Sequence, residues 1–286
     1  MENFITYLKK RKSSPKSIQS HLSNINGFES WLEDQGLEAK IVNQKDVLAY
    51  LQLCKKNGNI NRTLSHKINS LRKYFNYLEV QINPCQNIQI KGIPRRLPDG
   101  LLNEKELTHL YESYPQNTLP QKRDKLILSL LICQGITTAE LIDLKIEDVS
   151  LITEIIEIKS SRKGEYRKLK LLKPQIEILN NYLENVRPKL AQTTTNQLLI
   201  NSGKSQRTSK LKNTLSELMK RLKKQHNYFK NARQLRGSRI ALWLKDYNLR
   251  EAQYMAGHRY VSSTERYQQS HTEDLQKALD KYHPRK

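Results

Sequence analysis

Asn231-Ala232-Arg233-Gln234-Leu235-Arg236, then Met255-Ala256-Gly257-His258-Arg259-Tyr260, then Ser262-Ser263-Thr264 and Tyr267, is the stretch on which the fold turns. Its periodicity predicts a helix from Asn231 through Trp243, a short one around Ala252 to Ala256, one holding Tyr267, and a terminal one from Thr272 to Tyr282. Arg233 and Arg236 lie three residues apart, so on a helix they share a face and can point into one pocket. Gly257 before His258 permits close backbone approach to a ligand. Tyr267 follows His258 by nine residues, and Ser262-Ser263-Thr264 can cap the helix that presents it. Taken singly these residues are ordinary: two surface arginines, a packed histidine, one of 14 tyrosines.

Together, in a very basic chain, they suggest phosphodiester chemistry with tyrosine as nucleophile. A phosphodiester repels nucleophiles, so a cationic clamp must neutralise its non-bridging oxygens, and guanidinium does this bidentately. The charge agrees. Lys+Arg total 50 against 28 Asp+Glu, a net +22 with pI near 9.8, the footprint of a nucleic-acid binder. Residues 1–97 hold 16 Lys+Arg and 7 Asp+Glu, giving +9, and the remaining 34 against 21 give +13. Both halves are basic, as a two-domain clamp around double-stranded DNA needs.

At 286 residues and 37% hydrophobic, the chain is long and apolar enough for two folded domains. Cys54, Cys85 and Cys133 have no C-x-x-C spacing and read as reduced thiols of a cytoplasmic protein. No His/Cys cluster or glycine-rich phosphate loop suggests a metal or a nucleotide cofactor, and the N-terminus lacks a signal-peptide run.

Ser14-Pro15 opens an amphipathic helix carrying Ile18, Leu22, Ile25, Phe28 and Leu32 and ending near Gly36. Asn43 can cap a second, with Val47, Leu48, Leu51 and Cys54, closed by Gly58; Asn61 can cap a third, with Leu64, Ile68, Leu71, Phe75 and Leu78. The polar faces carry Lys67, Arg72 and Lys73, a solvated face by default and phosphate contacts by the charge argument. Ile90 to Pro98, with Arg95 and Arg96, is basic and proline-punctuated, the expected linker. Asn103 and Glu106 make a cap-like helix start, and Leu126 to Cys133 is apolar nearly all round, a buried helix stopped by Gly135. Ile155–Ile158 and Lys168–Leu171 flank the turn-prone Ser160 to Glu165 as a basic hairpin, and Leu198-Leu199-Ile200 reads as a brief strand between helices at Ile176–Val186 and Leu211–Leu222.

The C-terminal spacing resembles the tyrosine recombinases, or phage-integrase-type site-specific recombinases. There an H-x-x-R box, a G-H pair and a tyrosine nine residues later form the second half of the active site, matched here by Arg236, His258 and Tyr267. Arg123 to Ile136 followed by Glu140-Leu141-Ile142-Asp143-Leu144 looks like the family's first catalytic segment, and Thr63 to Pro84 resembles its core-binding domain. The resemblance implies a mainly α chain with a small antiparallel sheet: a helical, SAM-like core-binding domain over 1–88, a linker over 89–100, and an α+β catalytic domain over 101–286.

It also implies roles. Tyr267 attacks the scissile phosphate to form a 3′-phosphotyrosyl link, Arg236 and Arg233 neutralise phosphoryl oxygens, and His258 assists proton or charge management. A hairpin lysine protonates the leaving 5′ hydroxyl; Lys163 is the positional candidate, with Lys159 and Arg162 as rivals. Such enzymes work as homo-tetramers on two duplexes without metal or ATP, passing C-terminal helices between neighbours, a role the Leu275, Leu279, Tyr282 stripe suits.

Two positions depart from the family pattern. Thr137 stands where the first arginine is expected, and Thr137-Thr138-Ala139-Glu140 reads instead as a capping box. Arg233 stands at the usual histidine. A recombinase-like DNA-binding architectural protein that has lost catalysis, and a topoisomerase using the same chemistry, are the competing readings. The compensation expected for Thr137 is by Arg233, one helical turn before Arg236.

Overall fold

The computed structural model describes residues 2–92, 98, 100–161, 164–191, 194–201 and 208–268. Arg95, Arg96, Arg162, Lys163 and the C-terminal stripe of Leu275, Leu279 and Tyr282 lie outside them. The chain divides into two compact units, residues 1–95 and 96–286.

The first unit is four helices, α1 (Glu2–Lys10), α2 (Pro15–Asp34), α3 (Gln44–Lys56) and α4 (Asn61–Tyr77). The Ser14 hydroxyl accepts from the Ser17 amide, with Pro15 at the first turn where its missing N–H costs nothing. Asn43 caps α3 in a box with Asp46. Phe4, Leu8, Ile25, Phe28, Leu71 and Phe75 close a core with an aromatic centre, Phe28 meeting Tyr50 and Phe75 edge-on. Three expectations change. Helix α1 was not legible as an element, yet it supplies Phe4 and Leu8 to this core. Leu48 is exposed, and Tyr50 takes the buried place beside Val47 and Leu51. Asn61 is not a cap: Ile60 holds that position, and the Asn61 amide donates instead to the Lys91 carbonyl at 3.0 Å.

The second unit is mainly helical around one small sheet. Its helices are α5 (Glu104–Glu112), α6 (Leu119–Cys133), α7 (Thr138–Asp143), α8 (Lys173–Asn181), α9 (Arg187–Leu190), α10 (Thr208–Gln225), α11 (Ala232–Asp246) and α12 (Leu249–Ala256). A further helix runs over 262–268. A π-helical turn, Tyr182–Val186, joins α8 to α9. The antiparallel sheet has the order β1 (Val149–Ser150), β2 (Ile155–Ile158), β3 (Arg167–Lys170). Helix α6 is the central rod, buried along almost its whole length. Its first turns carry charges that burial would penalise unless paired: Asp124 accepts from Arg123 at 2.8 Å and from Arg221 at 2.9 Å.

Leu198, Leu199 and Ile200 are buried, but they form no strand. The Leu198 amide donates to the Leu144 carbonyl at 2.9 Å, and the Tyr182 hydroxyl and Arg123 take the two polar groups of Ile200. An apolar run of three residues reports burial without reporting its partners. The hairpin begins one residue earlier than the apolar pattern suggests, so Arg167 pairs with Ile158 and shares the inward face with Leu169.

Candidate active site

The site grows from helix termini. Asn231 caps α11, its side chain accepting from the Gln234 amide, and this fixes the rotation that turns Arg236 inward. Asn248 caps α12 in a box with Glu251, and α12 stops at Gly257 in the left-handed region, φ +62°. A side chain at 257 would be strained there and would also collide with the Arg167 guanidinium. The close approach that Gly257 permits is therefore to Arg167 and the hairpin rather than to a ligand. The Glu165 amide donates to the Gly257 carbonyl at 3.1 Å, docking the hairpin on the turn that presents His258.

His258 Nδ1 meets the buried Thr264 hydroxyl at 2.9 Å, which leaves Nε2 without a hydrogen bond among the described residues. Thr264 thus does not cap its helix; its hydroxyl orients the histidine. The His258 and Tyr267 rings stack at 6.3 Å with 12° between planes. Tyr267 is buried against Ile240, Trp243, Ala252 and Ala256. Arg236 donates to the Gly135 and Ala256 carbonyls, each at 2.5 Å, and its Nη1 lies 3.9 Å from Glu140. Arg236, His258 and Tyr267 converge as the spacing implied.

The remaining expected residues fall elsewhere. Arg233 is exposed, with no hydrogen bond or ion pair among the described residues. Three residues turn a helix by about 300°, so it sits roughly 60° off the face of Arg236, enough to leave it in solvent. Arg72 donates to the carbonyls of Cys85 and Ile88 through Nε and Nη2, stapling α4 to the following segment. Lys67 reaches the Tyr50 hydroxyl at 3.2 Å and Lys73 the His21 ring at 2.9 Å, both half-buried. Lys159 is held by Asp148 at 2.7 Å and by Glu147 at 3.1 Å.

Thr137 forms the capping box of α7: its hydroxyl accepts from the Glu140 amide at 3.2 Å, and its own amide donates to Glu140 at 2.7 Å. Glu140 also receives both terminal nitrogens of the fully buried Arg167, at 2.8 and 3.1 Å. Burial would raise the Glu140 carboxyl, but the Arg167 hydrogen bonds and charge, the Thr137 amide and Arg236 outweigh it and hold the group below the usual carboxylate range. Two further residues were not singled out by sequence. Arg167 carried a signal, a charge in phase with Leu169 on an alternating strand. Arg266 carried none: its guanidinium lies 5.2 Å from the Tyr267 ring centroid and Nη2 reaches Tyr267 Oη at 3.4 Å.

His258 is pushed down to about 4, first by burial and then by Arg236, Arg266 and Arg167, with Glu140 opposing. It is neutral at neutral pH. Between pH 6.5 and about 4 the unfolded chain binds a proton at this residue that the folded chain does not, so stability falls as the solution is acidified across that window. The contribution is on the order of 3 kcal/mol. His258→Gln should flatten the stability–pH profile there. Because His21 and His226 are also pushed down, first by burial, the readout is the difference between parent and variant; two profiles of equal slope would sink the assignment.

Residues 101–274 match the phage integrase family, and residues 1–81 match the phage integrase N-terminal SAM-like domain. The chain belongs to the phage integrase family, the tyrosine recombinases. Among its relatives, a tyrosine recombinase of Pseudothermotoga lettingae is 32% identical over 190 residues, 64% of this chain and just under two thirds, 65%, of that protein. Tyrosine recombinase XerA of Thermococcus kodakarensis is 27% identical over 283 residues, 98% of this chain and 94% of that one. Among solved structures, the XerH site-specific recombinase in a post-cleavage complex with palindromic difH substrate shares the fold, with TM-score 0.73 and 22% identity over 90% of this chain and 77% of that one. Tyrosine recombinases are tyrosine-type site-specific recombination enzymes, so the phosphodiester chemistry read from Arg236, His258 and Tyr267 and the helical architecture lead to the same family. Among the described residues no helix is long and apolar enough to cross a membrane, and no group of three or more His, Cys, Asp or Glu is placed to hold a metal ion.

Proposed function

We propose that this tyrosine recombinase is catalytically competent and cuts and rejoins double-stranded DNA through a 3′-phosphotyrosyl intermediate. The observation that carries the reading is the convergence of Arg236, His258 and Tyr267. Tyr267 Oη bonds to phosphorus as the bond to the 5′ oxygen breaks. The neutral His258 accepts the phenolic proton through Nε2, and a hairpin cation, Lys163 in first place, returns a proton to the leaving oxygen. Arg236 neutralises the phosphoryl oxygens. Attack by the 5′ hydroxyl of a second duplex then exchanges strands, within a homo-tetramer on two duplexes. The basic unit over 1–88 contributes DNA contacts, Lys67 and Lys73 among them, and Arg95, Arg96 and Arg162 add to these. The linker over 89–100 connects this unit to the catalytic domain, 101–286.

One observation favours the architectural alternative: Thr137 brings no positive charge to the phosphate, and its amide and hydroxyl oxygen are engaged in the capping box. The two readings separate on one experiment. The binding sequence is selected from random duplexes, and a nicked suicide duplex carrying it is incubated with the protein. A covalent adduct on Tyr267 is expected; tight binding with no adduct would establish the architectural role instead.

A further inference from the structure

We propose that Arg266 is a catalytic residue whose guanidinium takes a non-bridging oxygen of the phosphodiester attacked by Tyr267, forming a two-cation clamp with Arg236. The assignment rests on the recombinase reading and deepens it.

Three guanidiniums lie close enough to act electrostatically on His258: Arg236, Arg266 and Arg167. Only one has its charge uncommitted. Arg167 is fully buried and gives both terminal nitrogens to Glu140, so it presents a neutralised pair rather than a cation. Arg236 gives one bond from each terminal nitrogen to a backbone carbonyl and lies 3.9 Å from Glu140. Arg266 has no carboxylate partner among the described residues, and it lies against the nucleophile itself, Nη2 at 3.4 Å from Tyr267 Oη.

Its Nε is a second, independent sign. That atom is buried and has no hydrogen-bond partner among the described residues. Buried donors are nearly always paired, so an orphan on the side chain that reaches the Tyr267 phenol through Nη2 points to a ligand atom that completes the bonding. Arg167 Nε is orphaned too among the described residues, but on a side chain whose terminal nitrogens are already committed to Glu140. In-line attack brings phosphorus to roughly 3 to 3.5 Å from the phenolic oxygen. The non-bridging oxygens it carries then fall within reach of a nitrogen that already touches that phenol. As Tyr267 Oη bonds to phosphorus and the 5′ oxygen leaves, these oxygens gain charge, and two guanidiniums can share it.

Adjacency in sequence gives no hint of this pairing, because neighbouring residues on a helix point about 100° apart. The contact exists because Arg266 folds back over the ring of Tyr267, its guanidinium carbon 5.2 Å from the centroid.

The test uses the full chain and the selected nicked duplex in single-turnover cleavage, with duplex affinity and thermal melting recorded in parallel. Arg266→Gln should lower the cleavage rate roughly 100-fold or more with affinity changed by less than about threefold, and Arg266→Lys should recover part of the rate. A scissile methylphosphonate, which replaces one charged non-bridging oxygen by a neutral methyl, supplies the distinguishing readout. On it, the gap between parent and Arg266→Gln should shrink to a few-fold. Cleavage by Arg266→Gln within about threefold of the parent overturns the assignment, as does a gap of equal size on the phosphate and methylphosphonate duplexes. If the parent forms no adduct on either duplex, the recombinase reading fails and the role of Arg266 falls with it.

Discussion

Tyr267→Phe is expected to abolish the covalent protein–DNA adduct while leaving the fold and the duplex affinity nearly intact. The substitution removes one oxygen and nothing else from a ring buried among Ile240, Trp243, Ala252 and Ala256 and stacked on His258. The only hydrogen bond it deletes among the described residues is the long one from Arg266, 3.4 Å, for which a net cost of about 1 kcal/mol is an upper figure. Phosphate affinity resides in the arginines and does not need the phenol. The proposed nucleophile has no understudy in the two nearby tyrosines. Tyr254 is half-exposed, with its hydroxyl accepting from the Lys168 amide at 3.0 Å, and Tyr260 faces solvent. Denaturing electrophoresis of the suicide-duplex reaction checks the outcome. An adduct that survives in Tyr267→Phe and maps to Tyr254 or Tyr260 would remove Tyr267 from the centre of the mechanism.

What was legible in the sequence follows from the range of the interactions involved. Caps act over three residues, so Ser14, Asn43, Asn103 and the Thr137–Glu140 box could be read directly, and each holds its helix in the structure. Asn61 shows the limit of that reading: it has the right side chain one residue late, and its amide found a carbonyl 30 residues away. The same limit applies at the active site. Arg236, His258 and Tyr267 come together as their spacing implied, whereas Arg233 does not join Arg236, because residues three apart share a face only approximately. Thr264 looked like a cap and instead holds His258. Arg167 and Glu140 are 27 residues apart, and no local rule pairs them.

That last pair carries the largest expected effect on stability. Glu140→Gln should cost about 3 to 5 kcal/mol, because it leaves the Arg167 charge buried without a counter-charge. The amide oxygen of glutamine can still accept from the Thr137 amide, so the capping box survives, and the loss reports the missing charge together with the acceptor that Arg167 loses. Arg167→Met should also destabilise, since Glu140 would then keep only the Thr137 amide and Arg236, 3.9 Å away. The double variant, Glu140→Gln with Arg167→Met, should recover much of the loss, because removing a buried pair together spares the cost of an orphaned charge. Urea unfolding of the four proteins measures the cycle. Losses that simply add, or a Glu140→Gln cost below about 1 kcal/mol, would mean that the pair is not the anchor described here. Recovery of stability need not restore cleavage. Arg167 lies under Gly257, where a Cβ would strike its guanidinium, and the Glu165 amide docks the hairpin on that same turn. Methionine fills the volume without the fork that ties β3 to α7. The double variant is therefore expected to fold and to cleave more slowly than the parent, which separates what holds the domain together from what positions His258.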